Sequence, residues 1–260
     1  MPEIRGPEGS ARKSDSERSC RSRSVVTIDS CTRSIDRVKD TDAGPGRAVR
    51  TTRKNPKSAA TQRRILDATA RVLIDVGYSA TRLTDIADIA GVQAGSIYYY
   101  FASRESLIEE VLRYGVQFTQ AHVRATVEAV AAGATPGERI SAAIDGHLEA
   151  VMELGALSSA HVHAFDQVPP DMQERLRPIR RSFGKFWADL VDDAIESGDL
   201  RGDLDPYLIR LFIVNMIERV PEWSLRTKQR DGLGNTMHEL LFEGVKGQNF
   251  QVPTETLEAH

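Results

Sequence analysis

The sequence reads as an all-α protein, and three features carry that reading. From residue 65 onward apolar side chains recur at spacings of three and four, no stretch alternates with a period of two, and Gly, Pro and capping residues punctuate the periodic runs at helix-length intervals. With 260 residues, 40% hydrophobic and 27% charged, the chain can build one or two packed domains.

Residues 1 to 56 are Ser, Arg, Asp and Gly with isolated apolar residues. That composition buries too little surface to offset the entropy of ordering, so a disordered basic tail is expected. It holds 13 Lys and Arg against 8 Asp and Glu, while residues 57 to 110 hold 6 against 7 and residues 111 to 260 hold 15 against 22. The formal net charge of −3 therefore hides a positive end. Arg47, Arg50, Arg53, Lys54 and Lys57, with no acid between Asp42 and Asp67, suit either an arm for DNA phosphates or a solvated charge run. Cys20 and Cys31, in the same tail, lack metal-ligand spacing and read as incidental thiols rather than a redox pair.

Ile65, Leu66, Thr69, Val72, Leu73 and Val76 form the apolar stripe of a first helix, stopped by Gly77. Thr81 is expected to cap a short second helix carrying Leu83, Ile86, Ala87 and Ala90 and ending at Gly91. A short turn leads to a third helix, Ala94 to Tyr100. Ser103 then caps a longer fourth, carrying Leu107, Ile108, Val111, Leu112 and Val116. Beyond Gly133 one helix carries Ile140 to Met152, and an apolar segment runs from Ala156 to Phe165. A wide stripe from Met172 to Ile195 follows, with a kink or break expected at Pro178. Asp205 and Pro206 are a cap and first residue for a helix reaching Val220, and a last helix carries Met237, Leu240, Leu241 and Val245. The domains expected are a tail (1–56), a small helical head (57–117), a larger helical domain (118–246) and a loose end (247–260). No uncharged run approaches the ~20 apolar residues of a membrane span, and no secretory apolar region opens the chain. A soluble, cytoplasmic protein with no membrane partner is expected.

Helix, Gly-containing turn and helix within twenty residues is the helix-turn-helix unit, whose second helix enters a major groove. Here Arg82 to Ala90 would support and Ala94 to Tyr100 would read. Leu83, Ile86, Ala87, Val92, Ile97 and Phe101 can pack the pair, leaving Gln93, Ala94, Ser96, Tyr98, Tyr99 and Tyr100 outward. Gln pairs with adenine, Ser serves base edges or phosphate, and Ala94 with Gly95 lets backbone approach the duplex. One of the three tyrosine rings, at 99 or 100, equally suits packing beneath the helix.

The segment TRLTDIADIAGVQAGSIYYYFASRESLIEEVL, preceded by RRILDATARVLIDVGYSAT, resembles the DNA-binding domain of TetR/AcrR-family transcriptional regulators over about residues 60 to 113. The resemblance implies a homodimer on a near-palindromic double-stranded operator. It places Thr84 and Ser96 at or near bases, Tyr98, Tyr99 and Tyr100 near phosphates or base edges, and Arg104 on a phosphate, with Arg82 beside them. Where the family often has Ser then Lys opening the reader helix, this chain has Gln93 and Ala94. With one cation missing, the basic arm, including Lys54 and Lys57, is expected to add phosphate contacts. The resemblance also implies a ligand-binding and dimerising second domain, with helices near Pro206 to Glu222 and Leu233 to Val245 pairing across a two-fold axis. The function expected is a repressor released by a small-molecule effector; a ligand-independent regulator or an activator would use the same head.

Phe118, Phe165, Phe183, Trp187, Phe212, Met216 and Trp223, with Asn215 as a polar group, could line an effector pocket, though each also suits ordinary core packing. Asn215 could instead fix dimer register. Arg177, Arg181 and Lys185, at spacing four, form a row for an anionic ligand such as an acyl-CoA, or a solvent-facing set. No cofactor, metal site or catalysis is expected: His161 and His163 are two apart and fall on different sides of a helix, and no G-x-S-x-G, P-loop or H-E-x-x-H occurs.

Overall fold

The structure, a computed structural model, describes residues 56–243, all of its regular elements helical. The cations from Arg47 to Lys54, both cysteines, Val245 and the 247–260 segment lie outside the described residues. In chain order the α-helices are α1 (Pro56–Ala80), α2 (Leu83–Ala90), α3 (Ala94–Tyr100), α4 (Arg104–Glu128), α5 (Pro136–Leu154), α6 (Ala156–Ala164), α7 (Pro170–Glu196), α8 (Pro206–Glu218), α9 (Thr227–Asp231) and α10 (Leu233–His238). A 3₁₀ turn, Phe165–Gln167, follows α6, and another, Val220–Glu222, follows α8.

Side-chain chemistry marks the ends. Ser103 accepts from the Ser106 amide while Ser106 reaches back to the Ser103 amide, closing a capping box on α4. Thr135 and Glu138 do the same for α5, and the Asp205 carboxylate accepts from the Tyr207 amide ahead of α8. Gly91 closes α2 in the left-handed region (φ 63°), and the Val92 amide bonds back to the Ala87 carbonyl, the six-to-one bond of a Schellman turn.

Four expectations are corrected. Thr81 does not cap α2: its hydroxyl turns back to donate to the Gly77 carbonyl at 2.7 Å, and Arg82 takes the cap position with no side-chain bond. Pro178 does not break its helix, since α7 runs through it for 27 residues, its ends held by packing on two neighbouring layers. Gly77 leaves helical geometry as expected, but a further helical turn, Tyr78 to Ala80, continues beyond the bend. The last helix stops at His238 and relaxes into a π turn, Glu239–Glu243.

Two apolar cores are stacked along α4. The first joins Ile65, Leu73, Ile86, Ile97 and Leu107 of the head to Leu154, Leu157, Ala160 and Met172 of the second domain; the second gathers Val123, Ile140, Ile144, Trp187, Val191 and Ile217. The division placed at 117/118 thus falls inside a continuous helix and beside a continuous core. Gly115 explains how closely α4 lies on α6: a Cβ there would sit 2.2 Å from the Leu157 carbonyl oxygen.

Candidate nucleic-acid interface and ligand groove

The head is built from the inside outward. Ile86 and Ile97, fully buried, pin α2 and α3 to α1 and α4, which fixes the roll of α3. That roll turns Gln93, Gly95, Ser96, Tyr98 and Tyr99 to solvent. Tyr98 is 59% and Tyr99 82% exposed, whereas Tyr100 is half-buried against the core and meets Tyr99 edge-on at 5.1 Å. Tyr100 is therefore the packing ring, and Ala94 is half-buried against the same core. Arg82 and Thr84 are exposed on the same head, the Thr84 hydroxyl 3.3 Å from Asp85, and Lys57 is exposed in the first turn of α1.

Arg104, for which a phosphate contact is expected, is engaged within the head. Its Nε donates to the Thr81 carbonyl at 2.7 Å, Nη2 donates to the Tyr78 carbonyl, Nη1 meets Glu105, and the guanidinium lies 4.7 Å over the Tyr78 ring. It ties the α1–α2 bend to the start of α4. Arg63 is likewise engaged, by Asp67 and the Tyr114 hydroxyl.

The residues proposed for an effector pocket do not all converge, although Phe183 and Trp187 meet with ring centroids 6.5 Å apart. Phe118, Phe183 and Trp187 are buried core. Phe212 is 70% exposed, Trp223 is exposed, Met216 is half-buried, and Asn215 is exposed with its amide donating to the Leu211 carbonyl. The stripe on α8 is open in sequence to two readings, a pocket wall or a face paired across a two-fold axis, because a helix lacking its partner surface looks identical in sequence to a buried one. Tyr207, Leu208, Leu211 and Phe212 form an exposed apolar face. The exception is Phe165, which lines an open groove of about 840 Å³ with Asp166, Gln173, Arg177, Arg180, Arg181, Gly184, Lys185, Ala188 and Arg210. Five cations and one carboxylate line it, Arg177 and Lys185 being paired with Glu174 and Asp189 outside the lining, and the volume falls in the range of small-ligand sites. The sequence showed Arg177, Arg181 and Lys185. Arg180 and Arg210 were missed, Arg180 because it lies on the inner side of α7 and Arg210 because it comes from another helix.

The groove touches the head through the 3₁₀ turn. Phe165 stacks on Arg180, with the guanidinium carbon 3.8 Å from the ring centroid. Two residues on, the Gln167 side chain accepts from the Tyr78 amide at 3.0 Å and donates to the His163 carbonyl at 2.8 Å. Tyr78 is the residue braced by Arg104. One short turn thus joins the groove wall to the end of α1.

Behind the groove lies a polar interior. His161 Nε2 sits 3.3 Å from Glu218, whose carboxyl burial alone would raise; His161 and Arg180 outweigh that and hold it below its ordinary range. His147 is fully buried among Phe183 and Trp187, its ring centroid 5.4 and 5.7 Å from theirs. Burial pushes its imidazole down to about 4, so the ring is neutral near pH 7. The signal for His147 was available: it lies on the apolar stripe of α5 between Ile144 and Val151.

A helix-turn-helix head sharing a long helix with a sensor-like helical domain defines a DNA-binding regulator. The comparisons make this particular. Residues 65–111 match the model of bacterial regulatory proteins of the tetR family, and residues 133–225 match a tetracyclin repressor-like C-terminal domain. The HTH-type transcriptional repressor KstR2 of Mycobacterium tuberculosis is 32% identical over 158 residues, 57% of this chain and 74% of that protein. Its solved structure superposes with a TM-score of 0.61 at 25% identity, covering 72% of this chain and 95% of that one. The fatty acid metabolism regulator protein of Bacillus subtilis is 25% identical over 185 residues, 70% of this chain and 93% of its own. AibR, solved in complex with isovaleryl coenzyme A and operator DNA, shares the fold at 20% identity with a TM-score of 0.59, covering 70% of this chain and 98% of that one. The chain belongs to the tetR family and is a DNA-binding transcriptional regulator.

Proposed function

We propose that this regulator is a cytoplasmic repressor that binds its operator as a homodimer and is released by an anionic acyl thioester of the acyl-CoA class, without catalysing any reaction. The observation that carries the reading is the Phe165–Gln167 turn, which meets a five-cation groove at one end and the Tyr78 amide of the head at the other. The phosphates of a coenzyme A would lie on Arg177, Arg181, Lys185 and Arg210, since charge-assisted bonds to phosphate suit Arg. The relatives support the ligand class: one regulates fatty acid metabolism, and one was captured with an acyl-CoA.

On DNA, Gln93, Ser96, Tyr98 and Tyr99 would meet the duplex, Gly95 and Ala94 would allow close approach, and Arg82, Thr84 and Lys57 would meet the flanks. Isologous pairing of the exposed α8 faces would repeat the reader about a two-fold axis and match an inverted repeat. Ligand seated against Phe165 shifts the turn, and Gln167 carries the shift to Tyr78. The effect is limited to the ligand's preference between the two arrangements; a hundredfold loss of operator affinity needs about 2.7 kcal/mol. Fluorescence anisotropy with a fragment of the protein's own promoter tests this. Long-chain acyl-CoA should weaken binding about a hundredfold, and tight acyl-CoA binding that leaves operator affinity unchanged would defeat the proposal.

A further inference from the structure

We propose that the buried corner formed by His147 and Trp187 is a hydrogen-bonding subsite for an oxygen atom, as a keto or hydroxyl group, on the acyl part of the ligand. The inference rests on the acyl-thioester reading above and adds which acyl groups the protein selects.

A site for plain hydrocarbon needs no donors. Here both ring nitrogens of His147 and the indole nitrogen of Trp187 are buried without a hydrogen-bond partner among the described residues. A buried polar group without a partner is costly, and folded proteins leave few of them. The fold supplies partners to histidines readily: His122 meets Glu149, His161 meets Glu218, His163 meets Glu222 and His238 meets Asp145. His147 is the described histidine that has none. A neutral imidazole offers one donor and one acceptor, and the indole offers one donor. A ketone oxygen accepts from both donors; a hydroxyl can also return its proton to the free imidazole nitrogen.

The groove and the corner are linked along α7. Phe165 and Arg180 line both the groove and a narrow crevice behind it, whose other walls include Val116, His161 and Ile179. Val116 and Ile179 belong to the same apolar cluster as Phe183 and Trp187. On α7, Arg180, Phe183 and Trp187 are three and seven residues apart and share one side, with Trp187 about 10 Å further along the axis. The crevice is too narrow to seat a water, so the acyl group enters by parting Phe165 from Arg180. An acyl chain anchored at the groove by its thioester end then runs along this side of α7 to the His147–Trp187 corner.

The test uses the full chain with decanoyl-CoA and its 3-, 5-, 7- and 9-oxo isomers, with binding measured by calorimetry. At least one oxo isomer should bind ten times more tightly than decanoyl-CoA. In a Trp223→Phe background, which leaves Trp187 as the sole indole of the two in the chain, that isomer should shift the emission to the red while decanoyl-CoA does not. Trp187→Phe and His147→Phe should each shrink the preference, and the ratio of probes within one variant needs no comparison of stabilities. The proposal is overturned if no oxo isomer outbinds decanoyl-CoA in the unsubstituted protein, or if the preference survives both substitutions. If none of the thioesters binds, the acyl-CoA reading itself fails and takes this one with it.

Discussion

The His147 imidazole is held far below its ordinary range because burial disfavours the charged ring, a cost that the Glu218 carboxylate offsets only in part. The unfolded chain takes up that proton near pH 6.5, so between about 6.5 and 4 the unfolded state binds more protons and stability rises with pH. Acidification from pH 7 to 5 should cost about 2 kcal/mol through this residue alone. Urea melts at the two pH values should show that loss in the unsubstituted protein and a flatter response in His147→Phe. Gly95 makes a second prediction at this scale. A Cβ there meets nothing within 4 Å, so Gly95→Ala should stabilise α3 by about 0.5–1 kcal/mol. If backbone lies against DNA at this point, operator affinity should nevertheless fall at least tenfold. The two effects have opposite signs, and a melt paired with an anisotropy titration reads both.

Among the elements, the helices were legible wherever local chemistry decides them. The capping residues at Ser103 and Asp205, the Gly91 stop and the three- and four-residue spacings each act within one or two turns, and a sequence displays such rules directly. The Thr81 cap was misassigned and the bracing role of Arg104 was not foreseen because their partners, the Gly77, Thr81 and Tyr78 carbonyls, become available only after the Gly77 bend brings them round. The groove was half legible: one helix showed its cation row, but Arg210 and the Phe165 turn joined it only through tertiary packing. That turn is also the joint whose removal is informative. Gln167→Ala deletes the bond to the Tyr78 amide without touching the groove cations. Acyl-CoA affinity should stay within about threefold while the ligand-induced drop in operator affinity shrinks by tenfold or more; calorimetry and anisotropy separate the two.

For the whole molecule, the apolar face of α8 is the feature a single chain leaves unsatisfied. Tyr207, Leu208, Leu211 and Phe212 lie side by side at the surface, an arrangement that marks an association site. Phe212 is so exposed in one chain that Phe212→Glu should cost the protomer little stability. It should convert the dimer to monomer in sedimentation equilibrium and weaken operator binding at least a hundredfold, since two half-sites would no longer be engaged together.

The continuity of α4 from Arg104 to Glu128, with Leu154, Leu157, Ala160 and Met172 packed against the head's own interior, has a practical corollary for protein engineers. Reader and sensor here are not interchangeable cartridges. A chimaera grafting this reader onto a foreign sensor must import the face of α6, with the Leu157 backbone that lies against Gly115, or it will present raw hydrocarbon to water and precipitate.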